Sequence, residues 1–282
     1  FNVILSEELI ENGEEYFEKG SPVCLIYLKI LKLYEYVFDG KVFKEAKNLF
    51  FENIDSIGKV EKGIILTHLL NYCIRLINKG KSRFFGESLE LYKFGLSFEV
   101  FVEQNRMAEV TFSNIVSMGT KCKEFEWTRN FILSHKLYLD GGEREEATVL
   151  SFALLAFTED RYTETIDLLL NQSFEKPLQV IKSKVLLIKS YFEQFLSDDS
   201  YFEMLLAQTY SFEKFIRRNK EISEERSGGY LNFIQFVRRL ANGILDRNIP
   251  FNLIDNIKSN TALPQKEWLL QKTGKNKEKV FK

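Results

Sequence analysis

The side chains able to do chemistry are few and scattered. His68 and His135 are the two histidines in 282 residues. Neither belongs to an H-E-x-x-H pair or has further ligands at metal spacing, so each reads as structural. Cys24, Cys73 and Cys122 recur at even intervals of 49 residues inside apolar stretches. An odd count without the short spacings of a disulfide scaffold or zinc site reads as reduced, buried thiols. Glu14-Glu15, Glu145-Glu146 and Asp198-Asp199 are carboxylate pairs, but each falls at a helix start or break, where the helix dipole accounts for acidic side chains. No G-x-S-x-G, G-x-x-x-x-G-K or G-x-G-x-x-G occurs, so neither an acyl-transfer elbow nor a phosphate loop is encoded. Gly141-Gly142 and Gly228-Gly229 read as breaks between helices. Asn171-Gln172-Ser173 has the form of a glycosylation acceptor, a triplet common by chance, and nothing else in the sequence points to secretion. The expectation is a chain that is not an enzyme and carries no cofactor and no metal.

Charge narrows the partners. Lys+Arg 39 against Asp+Glu 40 leaves a net charge of -1, which gives no global counterion-release term for nucleic acid. The densest basic region, Arg217-Arg218, Lys220, Arg226 and Arg238-Arg239, is interleaved with Glu213, Glu221, Glu224 and Glu225, so local neutralisation is expected in place of a phosphate track. No apolar run approaches the roughly 20 residues of a membrane-spanning helix; Val185 to Ile188 is four residues between lysines. A cytoplasmic protein without membrane insertion is expected. A sequence opening on Phe1, with no basic stretch ahead of an apolar one, reads as a fragment whose upstream segment is missing.

The elements that must position these residues are helical. Only 4 prolines interrupt the chain, and 26 phenylalanines and 12 tyrosines supply large anchors for helix seams. Hydrophobic residues at 45% and charged at 28% suit a folded chain. An aromatic followed three residues later by a small or modest residue recurs at Phe43/Ala46, Phe85/Ser88, Phe125/Thr128, Tyr162/Thr165 and Tyr201/Met204, with steps of 42, 40, 37 and 39. Each match follows a break, at Asp39-Gly40, Asn78 to Ser82, Lys121 to Glu124, Glu159-Asp160 and Asp198-Asp199. Each therefore opens the second helix of a hairpin, with the aromatic plugging the seam and the small residue letting the backbones approach. Ser21-Pro22 reads as an N-cap and first helical residue, and Asn248-Ile249-Pro250 and Leu263-Pro264 mark later entries. Val149, Phe152, Ala153, Ala156 and Phe157 share one helical face, as do Ile166, Leu169 and Leu170.

The stretch from Ala147 to Leu170 resembles a tetratricopeptide repeat. The family's first helix pairs an apolar residue with a small one, here Phe152-Ala153, and its second opens on an aromatic and then a small residue, here Tyr162 and Thr165. Threonine stands where alanine is usual, no tyrosine lies near Ala156, and the closing proline is missing. The other units match only at the aromatic/small pair, and their spacing exceeds the 34 residues of the standard repeat. Over residues 22 to 210 the chain is therefore similar to a TPR-like array, closed by a hairpin from Gly229 to Lys258. The resemblance implies an all-α fold, a right-handed α-α superhelix of about six antiparallel helix hairpins. Residues 1–260 form a single TPR-like helical-repeat domain, and 261–282 a short capping helix docking Trp268 with a fraying lysine-rich tail. That end is similar to uncharacterised bacterial helical-repeat proteins.

Such an array implies a non-catalytic scaffold that binds a protein or peptide partner along the concave, first-helix side. Polar residues on first helices are the candidates. His68, Asn71 and Arg75 lie at i, i+3 and i+7, and Asn114, Ser117 and Lys121 repeat that spacing. Arg75, Lys121, Lys182 and Lys189 would make a discontinuous basic strip for a peptide's carboxylates. The alternative is a ligand- or peptide-sensing regulatory domain whose N-terminal effector or DNA-binding part lies upstream.

Overall fold

The structure is a computed structural model describing residues 21–35 and 40–280, with side chains as far as residue 274. Among these residues the chain is all-α, with thirteen α-helices and no strand; an isolated bridge pairs Glu103 with Arg106. It divides into two compact units, Phe1–Glu143 and Arg144–Lys282.

The first unit carries α1 (Pro22–Glu35), α2 (Gly40–Glu52), α3 (Lys59–Asn78), α4 (Phe84–Ser97), α5 (Glu109–Lys121) and α6 (Phe125–His135). Consecutive helices α1/α2, α3/α4 and α5/α6 pack as pairs. The second unit holds nearly all of α7 (Gly141–Thr158), then α8 (Tyr162–Leu170), α9 (Pro177–Phe195), α10 (Phe202–Arg218), α11 (Glu224–Leu245), α12 (Leu253–Ser259) and α13 (Lys266–Val280). Here α9 packs on both α8 and α10, α10 on α11, and α13 on α11 and α12. Proline begins α1 at Pro22 and α9 at Pro177, positions where its missing N–H removes no helical bond.

The expected register holds at four of the five pairs. Phe43 lies in the first turn of α2, Phe85 is second in α4, and Phe125 and Tyr162 are the first residues of α6 and α8. Ala46, Ser88, Thr128 and Thr165 are all 0% exposed. The seam is close there: a Cβ on Gly119 would stand 2.1 Å from Thr128 Oγ1, and Thr165 Oγ1 donates to Ala153 O at 3.3 Å. Only Phe43 of these aromatics is buried; Phe85, Phe125 and Tyr162 are half-buried, so the small residue makes the seam and the aromatic flanks it. The fifth pair slips by one. Tyr201 ends a short 3-10 turn before α10, and Met204 is 53% exposed while Leu205 is fully buried.

A left-handed residue closes several of these turns. Gly80, Lys123, Asp160 and Arg247 have φ of 79°, 60°, 59° and 53°. In each case the next N–H reaches back five residues, as in Lys81 N to Leu76 O, Glu124 N to Gly119 O, Arg161 N to Ala156 O and Asn248 N to Gly243 O. Val100 N to Gly95 O repeats the pattern after Glu99 at φ 52°. This is the Schellman closure, which normally favours glycine.

Several expectations are corrected. Gly228-Gly229 is not a break but lies inside α11, which starts at Glu224 behind Ser223, whose hydroxyl accepts from Arg226 N. Gly229 is bare because Ala262 O would stand 2.5 Å from a Cβ there. Gly141-Gly142 opens α7. The lysine-rich tail is helical as far as Val280, where α13 ends. Of the cysteines only Cys73 is buried, where burial pushes its thiol up to about 12; Cys24 is exposed and Cys122 half-buried. Glu14-Glu15 and Asp39 lie outside the described residues. Among the described residues, no helix is long and apolar enough to cross a membrane.

Holding a non-glycine residue left-handed costs about 1–2 kcal/mol, part of which glycine returns as extra unfolded-state entropy. Lys123→Gly and Asp160→Gly are each expected to stabilise the chain by about 0.5–1 kcal/mol, read as a rise in the urea midpoint; a fall at both would show that the side chains hold the turns.

Candidate functional site

Only part of the first-helix polar lines turns inward on the fold. On α3, His68 Nδ1 meets Tyr34 OH of α1 at 2.8 Å, with the rings edge to face at 5.8 Å. Two turns before, Tyr27 OH donates to Glu61. Two turns on, the Arg75 guanidinium lies 4.7 Å over Tyr34 and donates to Leu33 O at 3.3 Å, near the C-terminus of α1. Glu61, His68 and Arg75 are thus the i, i+7 and i+14 rungs of an α1/α3 seam, while Asn71 stays exposed. On α5, Asn114 is half-buried and hydrogen-bonds Tyr92, whose hydroxyl is raised to about 12, by burial against that bond. Ser117 is half-buried and its carbonyl accepts from Thr120 Oγ1 at 2.9 Å. Lys121 is exposed and lies 5.7 Å from the Phe85 ring.

In the second unit Lys189 sits 4.6 Å over Phe157 and 5.6 Å from Trp268, and donates to Gln265 Oε1 at 3.1 Å. Lys182 is half-buried on the same helix. Within the basic cluster Glu213 takes Arg238 at 2.6 Å and Arg217 at 2.8 Å, and these two hold its carboxyl below the usual range.

An open cleft of about 790 Å³ lies between α4 and α6, lined by Lys93, Leu96, Trp127, Asn130, Leu133 and His135 among others. Its wall is an i, i+4, i+8 ladder of flat rings on α6: Trp127 stacks on Phe131 at 5.8 Å, and Phe131 on His135 at 4.6 Å. Phe112 of α5 backs Phe131 at 5.1 Å, so the ladder is held from behind. Lys93 lies 4.7 Å over Trp127 and is paired with Glu124. Leu133 is 49% exposed at the rim.

Ser134 and His135 superficially suggest a nucleophile and base, with Oγ and Nδ1 2.8 Å apart. Ser134 Oγ, however, donates to Asn130 O at 2.7 Å, and His135 Nδ1 faces Phe131 O at 3.2 Å. The carbonyl favours the tautomer with the proton on Nδ1, in which the ring donates and cannot deprotonate Ser134. Among the described residues no group of three or more His, Cys, Asp or Glu could hold a metal ion. The arrangement suits recognition: an apolar floor, a neutralised cation and the exposed Asn130 amide.

The sequence reading missed this cleft by treating His135 as structural and the aromatics as seam fillers. The signal present was the four-residue spacing of Trp127, Phe131 and His135.

Burial lowers both His68 and His135 below 6.5. The unfolded chain then binds more protons between the folded and unfolded values, so stability falls as pH drops through about 6.5 and levels off below the folded values. The melting temperature is expected to decline from pH 7 to 5, and His68→Gln with His135→Gln to flatten that decline; an unchanged slope would assign it to other groups. Comparison of the chain with protein-family models, curated proteins and solved structures finds no match.

Proposed function

We propose that the chain is a non-catalytic protein- or peptide-binding scaffold built of stacked TPR-like hairpins wound as a right-handed superhelix. What supports the architecture is recurrence: the seam residues Ala46, Ser88, Thr128 and Thr165, the left-handed closures, and the 34-residue offset of Tyr27 to Glu61 and Tyr34 to His68.

The observation that carries binding is the α4/α6 cleft. Its volume lies within the range of ligand sites, and its openness to solvent along the two helices suits a chain segment better than an enclosed small molecule. An apolar side chain of the partner would rest on Leu96 and Leu133. Its main chain would meet the Asn130 amide, which offers a donor and an acceptor together. The first-helix residues contribute differently: His68 and Arg75 hold α1 to α3, so their removal acts through stability.

Peptides selected from a random display library against the full chain are expected to lose at least tenfold in affinity for Leu133→Lys, about 1.4 kcal/mol, with the melting curve unchanged. Equal affinity for wild type, Leu133→Lys and Asn130→Ala would rule out the cleft.

A further inference from the structure

The C-terminal helix is held by a device that an inert hydrophobic stopper does not need. Glu193 stands on α9 between Phe192 and Phe195, both buried, and its own side chain is 9% exposed. A carboxylate there demands hydrogen-bonding partners and a compensating cation. Both come from α13. Trp268 Nε1 donates to Oε1 at 3.1 Å, and Lys272 Nζ to Oε2 at 2.5 Å, from positions i and i+4 on one helical face. The Trp268 ring sits edge to face on Phe192 at 5.2 Å and 6.2 Å from Phe233 of α11. Leu269 and Thr273 complete the buried side of α13, and Lys189 flanks it through Gln265.

These are the parts of helix-in-groove recognition: an aromatic anchor, a short apolar ridge and one charge pair that fixes register. The tether supports the same reading. It turns sharply at Gln265, with φ 57°, and Lys266 Nζ binds the carbonyls of Lys258 and Asn260. Apart from α12, the rest of the attachment is the groove itself.

We propose that the groove around Glu193, on α9 and α11, is a helix-docking site, and that α13 is its resident occupant. The partner it fits is an amphipathic helix carrying a tryptophan and, four residues later, a lysine. Charge complementarity sets the choice. An incoming helix without the cation would bury Glu193 unpaired, so an all-apolar helix is refused. The short tether gives α13 a high effective concentration, so a free helix competes poorly until α13 is weakened. The inference goes beyond the α4/α6 cleft and uses none of its residues.

Hydrogen exchange of the full chain under native conditions separates this from a fixed cap. The amides of Leu269 to Thr273 are expected to exchange through an opening that leaves α9 and α11 protected, and Glu193→Gln to speed them at least tenfold while the α9 amides stay unchanged. If α13 exchanges only together with α9 and α11, in both proteins, it is part of one cooperative core and the proposal is overturned. The second probe is a labelled peptide of residues 263–280 added to the full chain carrying Trp268→Ala and Lys272→Ala. It is expected to bind that variant at least tenfold tighter than wild type, and to lose this when the peptide carries Lys272→Glu. Absence of binding by a variant that keeps its helical signal would overturn the proposal. Should the variant lose that signal, the exchange result decides. Neither readout depends on Leu133 or Asn130, so failure here and failure of the cleft are told apart.

Discussion

The closeness of two successive helices at their shared turn is the constraint on which the rest of the structure depends. Ala46, Ser88, Thr128 and Thr165 are all without exposed surface, and the Gly119–Thr128 approach leaves no room for a Cβ. Filling such a contact would force the backbones apart, and close-packed interiors accommodate that poorly. The consequence is lateral. With the seam closed by a small residue, the aromatic beside it is released to the flank, where Phe85 meets Lys121 and Tyr162 packs on Phe157. The same residue pair therefore sets the hairpin and furnishes a contact around it.

Ion pairs link successive helices along the same hairpins. Lys29 pairs with Glu45 within the α1/α2 hairpin. Lys47 of α2 then reaches Glu87 and Glu90 of α4 at 2.6 Å each, and Lys93 of α4 reaches Glu124 ahead of α6. Burial alone would lower the Lys47 ammonium, yet the two carboxylates overcome it and leave it raised. Exposed ion pairs contribute little, but Lys47 keeps only 13% of its side chain in water. Its position therefore specifies which helix follows which.

The helical class and the hairpin register could be read from the aromatic/small recurrence because it reports a steric requirement at the turn. Helix ends were harder to read. The Schellman position is normally announced by glycine, but here Glu99, Lys123, Asp160 and Arg247 occupy it, and only Gly80 gives the usual signal. Glycines misled in the other direction: Gly229 is needed for the approach of Ala262, in the body of a helix and not at its end. Met204 shows a third limit. A loose pattern tolerates a slip of one residue, and only packing reveals that Leu205 faces inward.

The site was less legible than the fold because polarity on a helix surface does not distinguish a ligand contact from an internal staple. His68 and Arg75 fit a binding line by type and spacing, yet their partners are Tyr34 and a main-chain carbonyl 42 residues away in sequence. What marks a recognition surface is a polar group that no other part of the fold engages. The Asn130 amide is exposed and available to a partner, beside an apolar rim at Leu133. Glu193 shows the complementary case. Its requirement is large because it is buried, and the C-terminal helix α13 meets it. A buried carboxylate is the more informative of the two, since its desolvation must be answered by partners that the neighbouring hairpin does not supply.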